Sequence, residues 1–189
     1  MLQVNFSPFP ILITERLVLR RTELADAPSL FYLRSHDDVM RFIDRPRPSS
    51  LDDIYTLIRK IHKMIEENAG IEWAVTLKGA DEYIGSVSFH LLMKEHYRAE
   101  IGYLLHPAFH RKGIMSEAVT AALTYGFGEM ELNSVEAIVT PGNDPSVGLL
   151  EHKGFLREGH FRQNRYSNGK FLDTFVFSLR SADWQNRMR

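Results

Sequence analysis

The chain of 189 residues contains no cysteine. This absence excludes disulfides, thiolate metal sites and a cysteine nucleophile, and with it an acyl-cysteine intermediate; we also expect no bound metal. Long apolar runs are missing too, because no stretch approaches the ~20 residues of a membrane span. The N-terminal segment lacks the basic start and apolar run of a signal peptide. We therefore expect a cytoplasmic protein with no membrane partner.

Neither sign of charge is in excess, since 23 Lys and Arg residues stand against 24 Asp and Glu residues, for a formal net charge of −1. We therefore expect no nucleic-acid partner. The P-loop string Gly-x-x-x-x-Gly-Lys-Ser/Thr and the Rossmann string Gly-x-Gly-x-x-Gly are both absent. The hydrophobic fraction of 44% is sufficient for a core, and the length suits one domain over residues 1–189.

Apolar periodicity predicts about seven strands and about four helices. The predicted strands cover residues 11–20, 71–77, 83–92, 98–105, 134–140, 156–166 and 171–179. The predicted helices cover 27–33, a longer stretch from Ser49 or Ser50 to near Gly70, the residues after Gly113, and 146–153. This order predicts an α/β (α+β) architecture with a mixed, mostly antiparallel central sheet flanked by helices.

The segment from Leu104 to Ala118 is the most informative part of the chain. An apolar strand ends at Pro107, a basic turn with Arg111, Lys112 and Gly113 follows, and then a helix begins. A helix start offers unpaired N–H groups and the positive end of its dipole, and glycine lets the backbone approach an anion closely. The segment predicts a site for a di- or polyphosphate. The alternative is an ordinary helix start with a solvated basic turn.

The turn from His110 to Met115, which reads His-Arg-Lys-Gly-Ile-Met, resembles the acetyl-CoA signature of GNAT-type N-acetyltransferases, Gln/Arg-x-x-Gly-x-Gly/Ala. Residues 14–20 are similar to the opening strand of the ribosomal-protein N-acetyltransferase (RimJ/RimL-like) subgroup. Residues 143–146, followed by 149–155, are similar to the second cofactor motif of that subgroup. His110 and Met115 depart from the usual residues at their positions. The resemblance spans about residues 10–180 and implies the GNAT acyl-CoA N-acyltransferase fold.

The resemblance implies acetyl-CoA (coenzyme A) as the cofactor. Strand backbone would pair with its pantetheine arm, turn amides would hold its pyrophosphate, and Asn143 would bond the arm, although Asn143 also suits an ordinary turn. Ser146 would donate to the departing thiolate, or it would only cap the short helix. The implied cofactor-binding residues are Tyr103, Leu104, Leu105, His110, Arg111, Lys112, Gly113, Ile114, Met115, Asn143 and Ser146.

Glu100 is the best candidate for a catalytic base. Strand alternation places Glu100 on one face with Gly102 and Leu104, and a carboxylate within a sheet is costly unless it is paired or lies in a cleft. The alternative is a structural glutamate bonded to an arginine of a neighbouring strand. An attacking amine must be neutral, which costs an α-amine about one pKa unit at pH 7 and a lysine about three.

The expected function is transfer of acetyl from acetyl-CoA to a primary amine, directly in a ternary complex. A protein N-terminus is the first choice of acceptor, because of the subgroup resemblance. A small amine (polyamine, amino acid or aminoglycoside) and a non-catalytic acyl-CoA-binding module are the alternatives, and a homodimer is left open. Weaker pointers to acceptor contact are His90, His96, Arg41, Phe42, Arg45 and Arg47, whereas the aromatic residues Phe161, Tyr166, Phe171, Phe175 and Phe177 are expected in the core.

Overall fold

The structure is a computed structural model that describes residues 1–167 and 169–188. Within these residues it has eight strands: β1 (Leu12–Ile13), β2 (Leu17–Arg20), β3 (Ile71–Leu77), β4 (Gly85–Met93), β5 (Arg98–Leu105), β6 (Ser134–Val139), β7 (Leu156–Ser167) and β8 (Lys170–Arg180). The same residues form six helices: α1 (Ala27–Ser35), α2 (Asp37–Met40), α3 (Leu51–Glu66), α4 (Ile114–Gly128), α5 (Asp144–Lys153) and α6 (Ser181–Met188). The turn expected at 167–170 contains Asn168, which lies outside the described residues.

The strands form one sheet in the order β1-β2-β3-β4-β5-β6-β8-β7. Among the described pairings, β5 and β6 run parallel, and all others are antiparallel. The expected mixed, mostly antiparallel fold is therefore confirmed. The parallel step arises because α4 carries the chain across one face between β5 and β6, as a crossover must.

The expected single strand over residues 11–20 is wrong, because the chain reverses within it. The amide of Thr14 donates to the carbonyl of Leu17 at 3.0 Å, and the amide of Leu17 donates to the hydroxyl of Thr14 at 3.0 Å. These bonds close a tight turn, so that Leu12 lies opposite Leu19. The sequence pattern also missed α2 and α6, which are too short for a clear helical period.

Helices cover both faces of the sheet. On one face α4 and α5 pack over a large cluster that includes Trp73, Val87 and Ile101. On the other face α1 and α3 pack over a smaller cluster that includes Ala74 and Leu104. Much of that second face is polar, and this leaves space between helices and sheet.

The closing hairpin of β7 and β8 is less buried than its aromatic content predicts. Phe177 lies fully in the core and Phe175 packs against it, as expected. Phe161, Tyr166 and Phe171 are exposed, so their predicted core position is wrong. Phe161 and Tyr166 lie on the edge strand β7, where most side chains face solvent, and Phe171 lies opposite Tyr166 at the turn end of the hairpin.

Candidate active site

The Gly113 turn, residues 110–115, joins a short 3₁₀ turn at Pro107–Phe109 to the start of α4. Gly113 has φ +75°, a left-handed conformation that strongly favours glycine. Among the described residues, no hydrogen-bond acceptor takes the amides of residues 111–115. Free amides, a positive dipole end and no Cβ at the apex make a cradle that fits a diphosphate.

Arg16 and Glu117 brace this turn from behind. The Arg16 guanidinium donates to Glu117 Oε2 at 2.6 Å and to the Lys112 carbonyl at 3.0 Å. The hydroxyl of Thr14 and the amide of Arg16 donate to Glu117 Oε1, at 2.5 and 2.9 Å. Burial alone raises the pKa of Glu117, but these bonds outweigh it and hold the pKa below its usual value. Sequence reasoning missed this brace, since its partners are about 100 positions apart.

The side chains of the turn are arranged differently from its amides. His110 Nε2 lies 3.0 Å from the Leu105 carbonyl, so the His110 ring contacts the end of β5. Arg111 and Lys112 are exposed, with Lys112 Nζ 5.7 Å from the Phe109 ring centre, whereas Ile114 and Met115 are buried in the core. The turn therefore presents backbone donors and two exposed cationic side chains.

His106 and His110 stand four residues apart, a spacing that suits a metal only on a helix. Here they flank the 3₁₀ turn, and His106 Nδ1 accepts from the amide of Ala108 at 3.1 Å. Within residues 1–167 and 169–188, no group of three or more His, Asp or Glu side chains could hold a metal ion.

Strands β5 and β6 part after their first residues. They pair from Arg98 to Glu100 on β5 and from Ser134 to Glu136 on β6, and further on β6 pairs with β8 instead. In the described residues, Tyr103, Leu104 and Leu105 thus have no strand on this side. Their backbone edge is open to an extended ligand, the geometry in which a peptide-like arm adds to a sheet.

A cleft of about 840 Å³ fills the space where the strands part and extends under α1 and α3. We call it the central cleft. Its lining combines both signs of charge: Arg34, Arg45, Arg47, Lys60 and Arg165 against Asp44, Asp53, Glu72 and Glu100. Of the expected acceptor residues, Phe42, Arg45, Arg47 and His90 line it, whereas Arg41 and His96 do not.

Ser146 and Tyr103 face each other across the parting of the strands. Their hydroxyl oxygens are 2.7 Å apart, and burial, which the bond to Ser146 offsets only in part, raises the pKa of Tyr103 to about 12. The expectation that Ser146 caps α5 is wrong. The helix begins at Asp144, two residues earlier, and Asn143 is its cap, accepting from the Ser146 amide at 3.4 Å. The hydroxyl of Ser146 is therefore not committed to capping.

Glu100 lies on the floor of the central cleft, with its side chain only 18% exposed. Its Oε1 is 3.3 Å from His90 Nε2 on the adjacent strand, where His90 is its direct cross-strand neighbour. An arginine partner was the alternative expectation, but Arg98 pairs with Glu136 instead. A carboxylate beside a histidine, at the point where the strands part, can accept a proton from a group entering the cleft.

Two charged residues of the cleft, Glu72 and Arg34, were not identified from the sequence. Glu72 lies on β3, where the alternation of 71–77 places a single acidic side chain among apolar ones. That isolated charge was an available signal, because a strand interior rarely keeps a carboxylate without a function or a partner. Arg34 lies in the last turn of α1, where nothing in the local sequence distinguishes it.

Comparison with known proteins agrees with this geometry. The family described as "Acetyltransferase (GNAT) domain" matches residues 16–156. The N-acetyltransferase YoaA of Bacillus subtilis (strain 168) is 37% identical over 171 residues, covering 90% of this chain and 97% of YoaA. The [ribosomal protein uS5]-alanine N-acetyltransferase of Escherichia coli (strain K12) is 26% identical over 181 residues, covering 92% of each chain.

The structure is also similar to solved ones. A GNAT-family acetyltransferase from Bacillus anthracis superimposes with a TM-score of 0.82 at 29% identity, covering 92% of this chain and 99% of the other. Of the helices in the described part of the chain, none has the length and apolar content needed to cross a membrane. The expected resemblance, including the ribosomal-protein subgroup, is confirmed, and the chain belongs to the GNAT family of acetyl-CoA-dependent N-acetyltransferases.

Proposed function

We propose that the protein transfers acetyl from acetyl-CoA to the α-amine at the N-terminus of another protein, directly within a ternary complex. The main support for this proposal is the parting of β5 and β6, because the open edge of β5 lies there between the Gly113 turn and the central cleft. Bound acetyl-CoA would supply the activated acetyl thioester there. The zero cysteine count supports direct transfer rather than a cysteine-linked intermediate.

The residues of the chain have separate roles in this proposal. The amides of Arg111 to Met115, with the charges of Arg111 and Lys112, would hold the pyrophosphate. The backbone edge of Tyr103, Leu104 and Leu105, with Asn143, would hold the pantetheine arm. His110 contributes by fixing the end of β5, since its Nε2 lies on the Leu105 carbonyl.

Two groups would move protons. Glu100 would accept the proton of the incoming ammonium, with His90 holding its carboxylate in place. The Ser146 hydroxyl would donate a proton to the departing sulfur and take one from the hydroxyl of Tyr103, 2.7 Å away. The proton that Glu100 accepted from the amine would return to Tyr103 through water in the cleft that both residues line. Relatives in another GNAT subgroup have a tyrosine in the short helix as the acid, and the matching position here is Leu150, which is fully buried and has no proton to give; the hydroxyl pair takes that role instead.

The charge of the cleft supports an α-amine over a polyamine. Five basic and four acidic residues line it, so it does not concentrate negative charge as a polycation site would. An α-amine also needs only about one pKa unit of deprotonation at pH 7, against about three for a lysine-like amine, which suits a single carboxylate base. The name of the uS5-alanine relative, which specifies a ribosomal protein, supports a protein acceptor.

An acetyl-CoA consumption assay tests the proposal. The acceptors would be hexapeptides with a free N-terminus, the same peptides blocked at the α-amine but carrying an internal lysine, spermidine, an aminoglycoside and free amino acids. We expect kcat/KM for free N-termini to exceed every other class by about 100-fold, a preference of roughly 2.7 kcal/mol. Preference for spermidine or another small amine contradicts the protein acceptor, and acetyl-CoA binding without turnover on any amine contradicts catalysis.

A further inference from the structure

Glu72 lies on the floor of the central cleft without a partner. It faces Ser88 on β4, and Ser88 in turn faces Gly102 on β5, so a polar row crosses three strands. Among the described residues its carboxylate has no hydrogen bond or ion pair, and its oxygens are open to the cleft. Burial raises the pKa of Glu72, and the charges of Arg34 and His90 offset that rise only in part.

Arg34 reaches the same cleft from α1, and it too has no hydrogen bond or ion pair among the described residues. Its Nε is sealed from solvent with no acceptor. Arg34 and Glu72 are close enough for one charge to shift the pKa of the other, yet they do not approach within the 4.0 Å of an ion pair. Buried charges are nearly always paired, so two opposite ones facing a common space call for a ligand between them.

We propose that Arg34 and Glu72 together bind one residue of the acceptor polypeptide through its backbone, an inference that rests on the proposed function. In an extended chain the N–H and C=O of one residue point the same way, as in an antiparallel ladder, so one edge of the chain contacts both side chains. Glu72 accepts from that N–H, and the Arg34 guanidinium donates to that carbonyl. A polyamine has no carbonyl for Arg34, and a carboxylate would be repelled by Glu72.

The row from Glu72 to Gly102 also indicates which residue is bound. Adjacent strands lie about 4.8 Å apart, so β3 is about 10 Å from β5, where the amine reacts. An extended chain advances about 3.3 Å per residue. The pair therefore contacts the third residue of the acceptor, and acceptors shorter than three residues do not reach it.

A length series tests this assignment. Peptide methyl esters of one to six residues with a common N-terminal sequence, which carry no amide N–H beyond their last residue, would be compared by kcat/KM. We expect a rise of about tenfold between two and three residues, the worth of a hydrogen bond to a charged group, and we expect it mostly in KM. Methylating the amide nitrogen of the third residue is expected to remove most of that rise in the unmodified enzyme.

Substitutions of Arg34 and Glu72 test whether these two side chains cause the rise in kcat/KM. In R34L and E72L, which remove the donor and the acceptor, the ratio of tripeptide to dipeptide kcat/KM is expected to fall to about one, whatever their overall activity. The controls are R59L on the exposed side of α3 and E82L in the turn before β4, which lie outside the cleft lining and are expected to keep the ratio. A retained ratio in R34L and E72L overturns the inference.

Failure of the inference is distinct from failure of the proposed function. If free N-termini are acetylated but the wild type shows no step at the third residue, the pair does not bind backbone and the proposed function stands. If no peptide is acetylated, both fail. Because N-methylation is tested on the wild type, a variant that does not fold leaves a decisive measurement in place.

Discussion

One carboxylate braces the Gly113 turn and another, Glu72, lies on the floor of the central cleft, but the two are held in opposite ways. Glu117 receives bonds from Thr14 and Arg16 on both oxygens, and its pKa is lowered. Glu72 has no partner among the described residues, and its pKa is raised by burial. A fully bonded carboxylate stabilises the fold, whereas an unpaired one lowers stability and remains available for a ligand.

The two regions also differ in what they offer. The Gly113 turn presents backbone amides from consecutive residues, so most of its side chains can vary without loss of the cradle. The cleft presents the side chains of Glu72, Glu100 and Arg34 from separate elements. Substitution of a side chain should therefore matter more in the cleft, with glycine at the apex of the turn as the exception.

The largest effect is expected for G113D. The substitution adds a Cβ in a left-handed conformation, 3.3 Å from the Arg16 guanidinium, and a negative charge next to the amides that would hold the diphosphate. Acetyl-CoA affinity, measured by titration calorimetry, should fall by about 100-fold or more. The matched control is G79D, since Gly79 is also left-handed (φ +81°) but has open space around it. Equal affinity in the two variants would falsify the role of the turn.

Next in size is the effect of E100Q. Turnover should fall about 10- to 100-fold near pH 6, where the acceptor is mostly ammonium and needs a base. Near pH 9 the α-amine is already neutral, so the deficit should shrink. Rates across pH 6–9 measure this, with E95Q outside the cleft lining as the control. A deficit that is the same at every pH would remove Glu100 as the base.

The hydroxyl pair is expected to give a smaller effect. S146A should lower kcat about tenfold while acetyl-CoA affinity changes little, because the hydroxyl acts on the departing sulfur. Y103F should lower kcat less, since Tyr103 acts only through Ser146. Turnover assays measure kcat, and separate binding assays measure acetyl-CoA affinity. A loss confined to thermal stability would show that the pair only joins β5 to α5.

The smallest effects are on stability, and they should have opposite signs. The folded pKa of Glu117 is lowered, so its contribution is present above the unfolded pKa and lost as pH falls through the folded value. E117Q should lower Tm at pH 7 by about 3 °C.

The folded pKa of Glu72 is raised, so the stability that its buried charge costs the fold is not lost at low pH, and the loss grows as pH rises. E72Q should raise Tm at pH 8 by about 2 °C.

Thermal unfolding between pH 4 and pH 8 measures both variants. The difference between E72Q and wild type should vanish at the acid end, whereas the difference between E117Q and wild type should only shrink there, because the lowered pKa of Glu117 keeps its carboxylate ionised to lower pH. E82Q, an exposed substitution, serves as the control. A lower Tm for E72Q at pH 8 would mean that Glu72 has a stabilising partner.

Much of the fold followed from local pattern. The strands at 71–77 and 98–105 were predicted with their observed bounds, because each is a clear period-two run ended by turn residues. The reversal at Thr14 was missed, since the alternation of 11–20 continues through it. The exposed aromatics of β7 were misassigned, because sequence alone does not tell an edge strand from a central one.

The amino-acid sequence by itself determined the Gly113 turn, since a glycine before a helix, a strand-ending proline and neighbouring cations act within a dozen residues. Tertiary structure alone decided the parting of β5 and β6, the Arg16–Glu117 brace and the facing of Glu72 and Arg34. The physical reason is that a helix terminus is built from adjacent peptide groups, whereas burial and charge pairing depend on which distant segments the sheet brings together.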